Sequence, residues 1–198
     1  MSTPLRIGMF GGAFDPPHRA HLALARAAIA QLRLDRLHIV PTGQAWHKSR
    51  TLSAAEHRLA MSEAVFGDLP QAILDDREIQ RTGPSYTADS LAELAALYPG
   101  SQRFLIVGLD QLRSFRQWSR HEEILALATL VVAHRPGQSQ AQEPVPHHNL
   151  EFEADPISST QLRAELGDTQ QRATALADLQ PTLARYIAHH HLFETVNP

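Results

Sequence analysis

His18 and His21 stand three residues apart, directly after the run Gly11-Gly12-Ala13-Phe14-Asp15-Pro16-Pro17. On a helix that spacing puts both rings on one face. Gly11 and Gly12 open backbone conformations closed to other residues and let a ligand approach the main chain. A helix starting here offers unpaired N–H groups and the positive end of its dipole, which suit an anion. The loop matches neither GxGxxG nor GxxxxGK[ST]. Three readings compete: core histidines bonded to carbonyls, phosphate contacts, or half of a zinc site. Zinc lacks a nearby third ligand and is disfavoured at a helix N-terminus. Two inward histidines directly after a glycine turn favour phosphate contact.

Four other groups carry chemistry. Ser158-Ser159-Thr160 places hydroxyls and backbone N–H groups at a helix start, and Arg163, four residues after Ser159, brings a fork of donors. Alone it reads as an N-cap with a surface arginine; beside the first loop it reads as a second phosphate contact. His47-Lys48-Ser49-Arg50 follows a strand and carries three potential cations. His47 and Lys48 are candidates for phosphate contact, and Arg50 reads as solvated. Ser85-Tyr86-Thr87 opens a helix whose hydroxyls and N–H groups suit a carboxylate, with Thr87 also able to cap. Asp110, two residues past Gly108, can accept from a sugar hydroxyl or a metal-bound water, or cap the next helix. The run His189-His190-His191 does not suggest a metal site, because neighbours on a helix point about 100° apart. His147-His148 falls in a polar stretch and is expected to be solvated.

The elements that must position these groups follow from hydrophobic patterning. Continuous apolar runs at 6–10, 37–40, 72–74, 104–107 and 129–133 predict five strands buried on both faces of a parallel sheet. Leu22, Ala25, Ile29 and Leu32 form one helix face within 18–33, and His18 and His21 continue it. Ser53-Ala54-Ala55-Glu56 reads as a capping box, with Ala55, Leu59 and Phe66 on the inner face of its helix. Thr87 opens a helix with Leu91, Leu94, Ala95 and Tyr98 on one face, stopped by Pro99-Gly100. Residues 136–149 read as a surface loop; a short strand at 150–152 and helices near 159–167 and 181–191 follow. Alternation of this kind predicts an α/β fold with right-handed crossovers. In open α/β sheets ligands sit at the carboxyl ends of the strands, and all the candidate groups fall there.

Composition removes other classes. The chain has 198 residues, enough to bury its own core. Cysteine is absent, which excludes disulfides, thiolate zinc sites and cysteine nucleophiles. A net charge of −3, from 18 basic and 21 acidic residues, leaves no electrostatic footprint for nucleic acid. No apolar run approaches the roughly 20 residues of a membrane helix, and no signal peptide is apparent. The expectation is a soluble cytoplasmic protein without nucleic-acid or membrane partners.

Gly-x-Phe-Asp-Pro-x-His followed by His21 resembles the nucleotidyltransferase superfamily. Three further segments extend the likeness over most of the chain and resemble its bacterial nicotinate-nucleotide adenylyltransferase branch. They are Arg81-x-Gly83-Pro84-Ser85-Tyr86-Thr87, Gly108-x-Asp110 with Phe115 and Trp118, and Ile157-Ser158-Ser159-Thr160-x-x-Arg163. The chain departs from the family pattern at Ala20, where glycine is usual, and at Ala45-Trp46, where two prolines are usual.

The resemblance implies a Rossmann-like, doubly wound, five-stranded parallel sheet of order 3-2-1-4-5, in one domain over 1–198. Its core spans about 1–135, with a small C-terminal helical region over about 150–198. It implies adenylyl transfer from ATP to nicotinate mononucleotide, a step in NAD synthesis. His18 and His21 would be catalytic. Gly11, Gly12, Phe14, Gly108, Asp110, Ser158, Ser159, Thr160 and Arg163 would join them in binding ATP. His47, Lys48, Ser85, Tyr86, Thr87, Trp118 and Arg135 would bind the mononucleotide, with its carboxylate near Thr87 and Trp118 stacked on the pyridine. Mg²⁺ would enter bound to the ATP phosphates. Nicotinamide mononucleotide or a phosphopantetheine-type phosphate as acceptor, and an ATP-sensing module without turnover, are the alternatives. The sequence does not decide the oligomeric state.

Overall fold

The computed structural model describes residues 3–43, 52–134, 145–153 and 156–195. Strand β1 (Arg6–Gly12) leads through helix α1 (Arg19–Leu32) to β2 (Arg36–Pro41), and α2 (Ala55–Phe66) leads on to β3 (Ala72–Leu74). A single turn, α3 (Arg77–Gln80), precedes α4 (Thr87–Leu97) and β4 (Gln102–Gly108). Next come α5 (Leu109–Ser114), a 3₁₀ turn (Phe115–Gln117), α6 (His121–Leu127) and β5 (Thr129–His134). The chain continues through β6 (His148–Glu151), α7 (Ser159–Gly167), α8 (Arg172–Ala177) and α9 (Pro181–His189).

All neighbouring strands pair in parallel, in the order β3-β2-β1-β4-β5-β6. Two apolar layers flank the sheet because successive side chains point to opposite faces. Phe104 and Ile106 face one layer with α1, α2 and the C-terminal helices; Leu105 and Val107 face the other with α4, α5 and α6. The five expected strands and their order hold, but the sheet has six strands, not five. In β6 only Leu150 is buried, while His148, Asn149 and Glu151 are exposed. An edge strand this short and polar carries little hydrophobic signal, although its backbone pairs with Val131–His134.

Local expectations fare unevenly. Helix α1 ends where its periodicity does, but its buried residues are Ala20, Leu22, Leu24, Ala25 and Ala28, with Ile29 and Leu32 at the margin. The box at Ser53 does not form: Ala54 is the N-cap of α2, and the Ser53 carbonyl accepts from Arg58 instead. The inner face of α2 is Arg58, Met61, Ser62, Val65 and Phe66 rather than one through Ala55 and Leu59. Tyr86, not Thr87, is the N-cap of α4. Among the described residues no helix is long and apolar enough to cross a membrane.

Candidate active site

The chain turns from β1 into α1 at the carboxyl edge of the sheet. Gly11 and Gly12 still belong to the strand, paired with Val40 and Pro41. Neither has a positive φ; the left-handed residue of the loop is Phe14, at φ 47°. Gly12 is needed for close approach, since a Cβ there would lie 2.9 Å from the Phe14 ring. That ring is buried and meets Phe10, Phe66 and His21 edge-on at 5.3 to 5.5 Å. Any contact of Phe14 with ATP therefore falls to its backbone.

His18 is the N-cap of α1 and His21 is its third residue, with ring centroids 3.8 Å apart. The His18 backbone N–H donates to His21 Nδ1 at 3.2 Å. A neutral His21 must then carry its proton on Nε2, leaving that N–H as its donor. Burial, and secondarily the charge of His18, lowers the His21 pKa from 6.5 to about 3. His21 is therefore a neutral donor at neutral pH, in a place where an arriving anion favours its charged form. Ala20, between the two histidines, is buried within the helix.

The depressed pKa has a measurable sign. In the unfolded chain this histidine takes a proton below its ordinary 6.5; in the folded chain it resists protonation down to about 3. Its contribution to stability is complete above 6.5 and is lost as pH falls below that value. Thermal melts from pH 7 to pH 4 should therefore show a steeper fall in Tm for the wild type than for His21→Asn. Parallel curves would remove the buried, neutral His21.

Helix α7 brings the second predicted phosphate contact onto this loop. Ser159 Oγ donates to the Pro16 carbonyl at 2.8 Å, and Arg163 donates to the Asp15 carbonyl at 2.7 Å and to Thr160 Oγ1 at 3.1 Å. Ser158 accepts from the Gln161 N–H at 3.1 Å, so its cap reading is correct. Sequence elements some 140 residues apart thus share one site. The Ser159 hydroxyl and part of the Arg163 fork fasten the first loop.

Arg58 was not among the expected residues. It is 2% exposed, and its guanidinium donates to the carbonyls of Ala13 at 3.2 Å, Thr42 at 2.7 Å and Ser53 at 3.0 Å. One side chain therefore joins the first loop, the exit of β2 and the approach to α2. The only sequence hint was a cation at helical spacing from Met61, Ser62 and Val65.

On the other side of the edge, Gly108 ends β4 and is the N-cap of α5. Asp110 lies in the first turn with its side chain 97% exposed, so it does not cap the helix and faces solvent. Trp118 is half-buried, 5.4 Å from the Phe115 ring. Tyr86 lies beneath the Arg120 guanidinium, 6.0 Å from its ring centre, and Arg120 also pairs with Asp89. Arg120 thereby links the starts of α4 and α6. The Ser85 hydroxyl donates to the Glu78 carbonyl at 3.1 Å, so it points inward rather than toward a ligand carboxylate. Thr87 is the first residue of α4, where backbone N–H groups lack partners within the helix. His47, Lys48 and Arg135 lie outside the described residues.

His134, at the carboxyl end of β5, is 3% exposed, and neither ring nitrogen has a hydrogen-bond partner among the described residues. His18 lines a cavity of about 230 Å³ walled by Val65, Ile157 and Leu183. A larger groove of about 790 Å³ lies at the opposite sheet edge, beside Arg6 and Arg103. Those arginines close the C-termini of α1 and α6 through the carbonyls of Leu32 and Leu127. The groove therefore opens at the amino ends of β1, β4 and β5, away from His18 and His21. The His run at the end of α9 is exposed, with the His190 ring tilted 43° to Tyr186 at 4.4 Å and 56° to His57 at 5.0 Å. His148 is exposed as expected, whereas His147 is partly buried and bonds to the Val145 carbonyl at 2.7 Å.

Residues 9–165 match the cytidylyltransferase-like family. A probable nicotinate-nucleotide adenylyltransferase of Albidiferax ferrireducens is 48% identical over 200 residues, covering 96% of this chain and 98% of the relative. One of Methylibium petroleiphilum is 40% identical, covering 97% and 94%. The solved structure of Plasmodium falciparum nicotinic acid mononucleotide adenylyltransferase, complexed with NaAD, shares the fold at a TM-score of 0.77. It is 18% identical and covers 96% of this chain and 97% of its own.

Proposed function

The chain belongs to the nicotinate-nucleotide adenylyltransferases of the cytidylyltransferase-like family, and on that premise we propose how its site works. It transfers the adenylyl group of ATP to nicotinate mononucleotide, giving nicotinate adenine dinucleotide and pyrophosphate. A phosphate oxygen of the mononucleotide attacks the α-phosphorus, that bond forms, and the bond from the α-phosphorus to the bridging oxygen breaks. The attacking oxygen is already ionised, so no protein nucleophile is needed. Catalysis reduces to alignment and to neutralising charge on the departing pyrophosphate.

The observation that carries this reading is the stacked His18–His21 pair at a helix start, with the Ser158–Arg163 helix docked on the same loop. His21 Nε2 donates to the phosphates, and its neutral resting state means that its proton affinity rises as the phosphates arrive. The N-terminus of α7 adds backbone donors. Gly108 and Asp110 line the ATP side, where Asp110 faces solvent and can accept from a ribose hydroxyl or a metal-bound water. On the acceptor side, the N-terminus of α4 at Thr87 takes the carboxylate and Trp118 stacks on the pyridine. His47, Lys48 and Arg135 are proposed phosphate contacts.

Mg²⁺ bound to the ATP phosphates would neutralise part of their charge. Among the described residues no three His, Asp or Glu side chains converge to hold an ion. The cytoplasm is the proposed compartment, because both substrates are multiply charged and do not cross an apolar bilayer unaided.

Pyrophosphate release with ATP, Mg²⁺ and each acceptor in parallel tests the reading. Nicotinate mononucleotide should be strongly preferred over nicotinamide mononucleotide and phosphopantetheine. Preference for the amide or the pantetheine would sink the carboxylate site at Thr87 while sparing the histidines.

A further inference from the structure

Glu78 is a buried acid, 7% exposed, that takes no part in the reaction just described. Its carboxylate accepts from Ser90 Oγ of α4 at 3.0 Å, and the Gly43 backbone N–H past the end of β2 and the Arg81 charge both favour its ionised form. Its own carbonyl accepts from Ser85 Oγ. Gly43 is packed so tightly on this turn that a Cβ there would fall 2.0 Å from the Glu78 carbonyl oxygen and 3.1 Å from Ser85 Oγ. The exit of β2, the turn of α3 and the entry to α4 therefore meet at one side chain.

A ring of charge surrounds it. Arg81 reaches Ser90 at 3.4 Å and Glu93 at 2.6 Å. Arg77 binds Asp75 at 2.7 Å and Glu93 at 3.2 Å, and Asp75 holds His38. Burial pushes the Glu78 carboxyl up; the Ser90 bond, Arg81 and Gly43 hold it down, and the Asp75 charge adds to the rise. For packing alone, an apolar side chain of similar size serves as well as a buried charge or better. What the carboxylate adds is direction, because it accepts from Ser90 on α4 while its charge favours the Gly43 N–H past β2.

We propose that Glu78 is a positioning residue for the acceptor, fixing Gly43 against Ser85 and so setting the spacing between the exit of β2 and the N-terminus of α4. The inference rests on the assignment of the N-terminus of α4 at Thr87, and of Trp118, to the mononucleotide. Steady-state kinetics on Glu78→Ala, Glu78→Gln and Ser90→Ala test it, with Trp118→Ala as the control for that assignment. Glu78→Ala should raise the KM for the mononucleotide about tenfold or more and leave the KM for ATP within about twofold. Ser90→Ala, a smaller change that spares the fold, should move the same constant about threefold, and Glu78→Gln should lie between the two.

Equal rises in both KM values, or a lower Tm with both constants unchanged, would overturn the positioning role. If Trp118→Ala raises the acceptor KM while Glu78→Ala and Ser90→Ala do not, only this inference falls. If none of the variants moves it, the acceptor assignment falls and takes the inference with it.

Discussion

His21→Ala lowers turnover by about 10²-fold or more, the loss expected when one preorganised donor to developing charge is removed. That corresponds to about 2.7 kcal/mol of transition-state stabilisation. The expectation follows from the site's geometry. The His18 N–H occupies Nδ1, which leaves Nε2–H as the donor on a helix that also contributes its positive end. The KM for ATP should rise less than turnover falls, because the bond strengthens as charge moves onto pyrophosphate. His21→Asn retains an amide donor and should recover part of the loss. Initial rates at saturating substrate decide the matter: near-normal turnover in His21→Ala would take this residue out of the chemistry.

The second large effect belongs to Arg58. Truncation to alanine strands three carbonyls that its guanidinium now serves, those of Ala13, Thr42 and Ser53. Leaving buried acceptors unpaired costs about 1–3 kcal/mol each, so about 3 kcal/mol or more in total. For a chain of this size that lowers Tm by about 6–12 °C, since 1 kcal/mol shifts it by about 2–4 °C. Arg58→Lys keeps the charge but not the planar fork, and should recover less than half of the loss. Thermal melts measure the stability, and rates well below the melting range measure the site. A variant that melts within about 2 °C of wild type would mean the three carbonyls find other partners.

The parts of this molecule legible in its sequence are those whose signal is local. Strands β1, β2, β4 and β5 are buried on both faces, so runs such as Phe104–Val107 declare themselves. His18 and His21 were readable because helical spacing and a preceding turn are properties of adjacent residues. The docking of Ser159 and Arg163 on Pro16 and Asp15 was expected only as a shared edge, because the contact spans about 140 residues. Arg58 and Glu78 escaped notice for a different reason. Arg58 serves carbonyls of three other segments and Glu78 accepts from a serine twelve residues on, and composition does not show which group will face a buried charge. The backbone freedom expected of Gly11 and Gly12 is not used, since the left-handed turn belongs to Phe14 and Gly12 makes room for its ring. The bond of the Ser85 hydroxyl was not legible either, because its partner is the Glu78 carbonyl, seven residues earlier, across a turn that patterning did not announce.

The two borders of the sheet are β3, three residues long, and β6, four residues long with His148, Asn149 and Glu151 exposed. Unpaired strand borders invite another chain to add on, and brevity and polar side chains are ways to discourage it. Neither border offers a long, flat, apolar row for a stranger's backbone to zip onto. Continuous growth of sheet from one molecule into the next is thereby disfavoured, at synthesis as well as at high concentration. Among the described residues the longer surfaces open to a second copy are then those of helices and loops, where side chains rather than main-chain hydrogen bonds choose the partner.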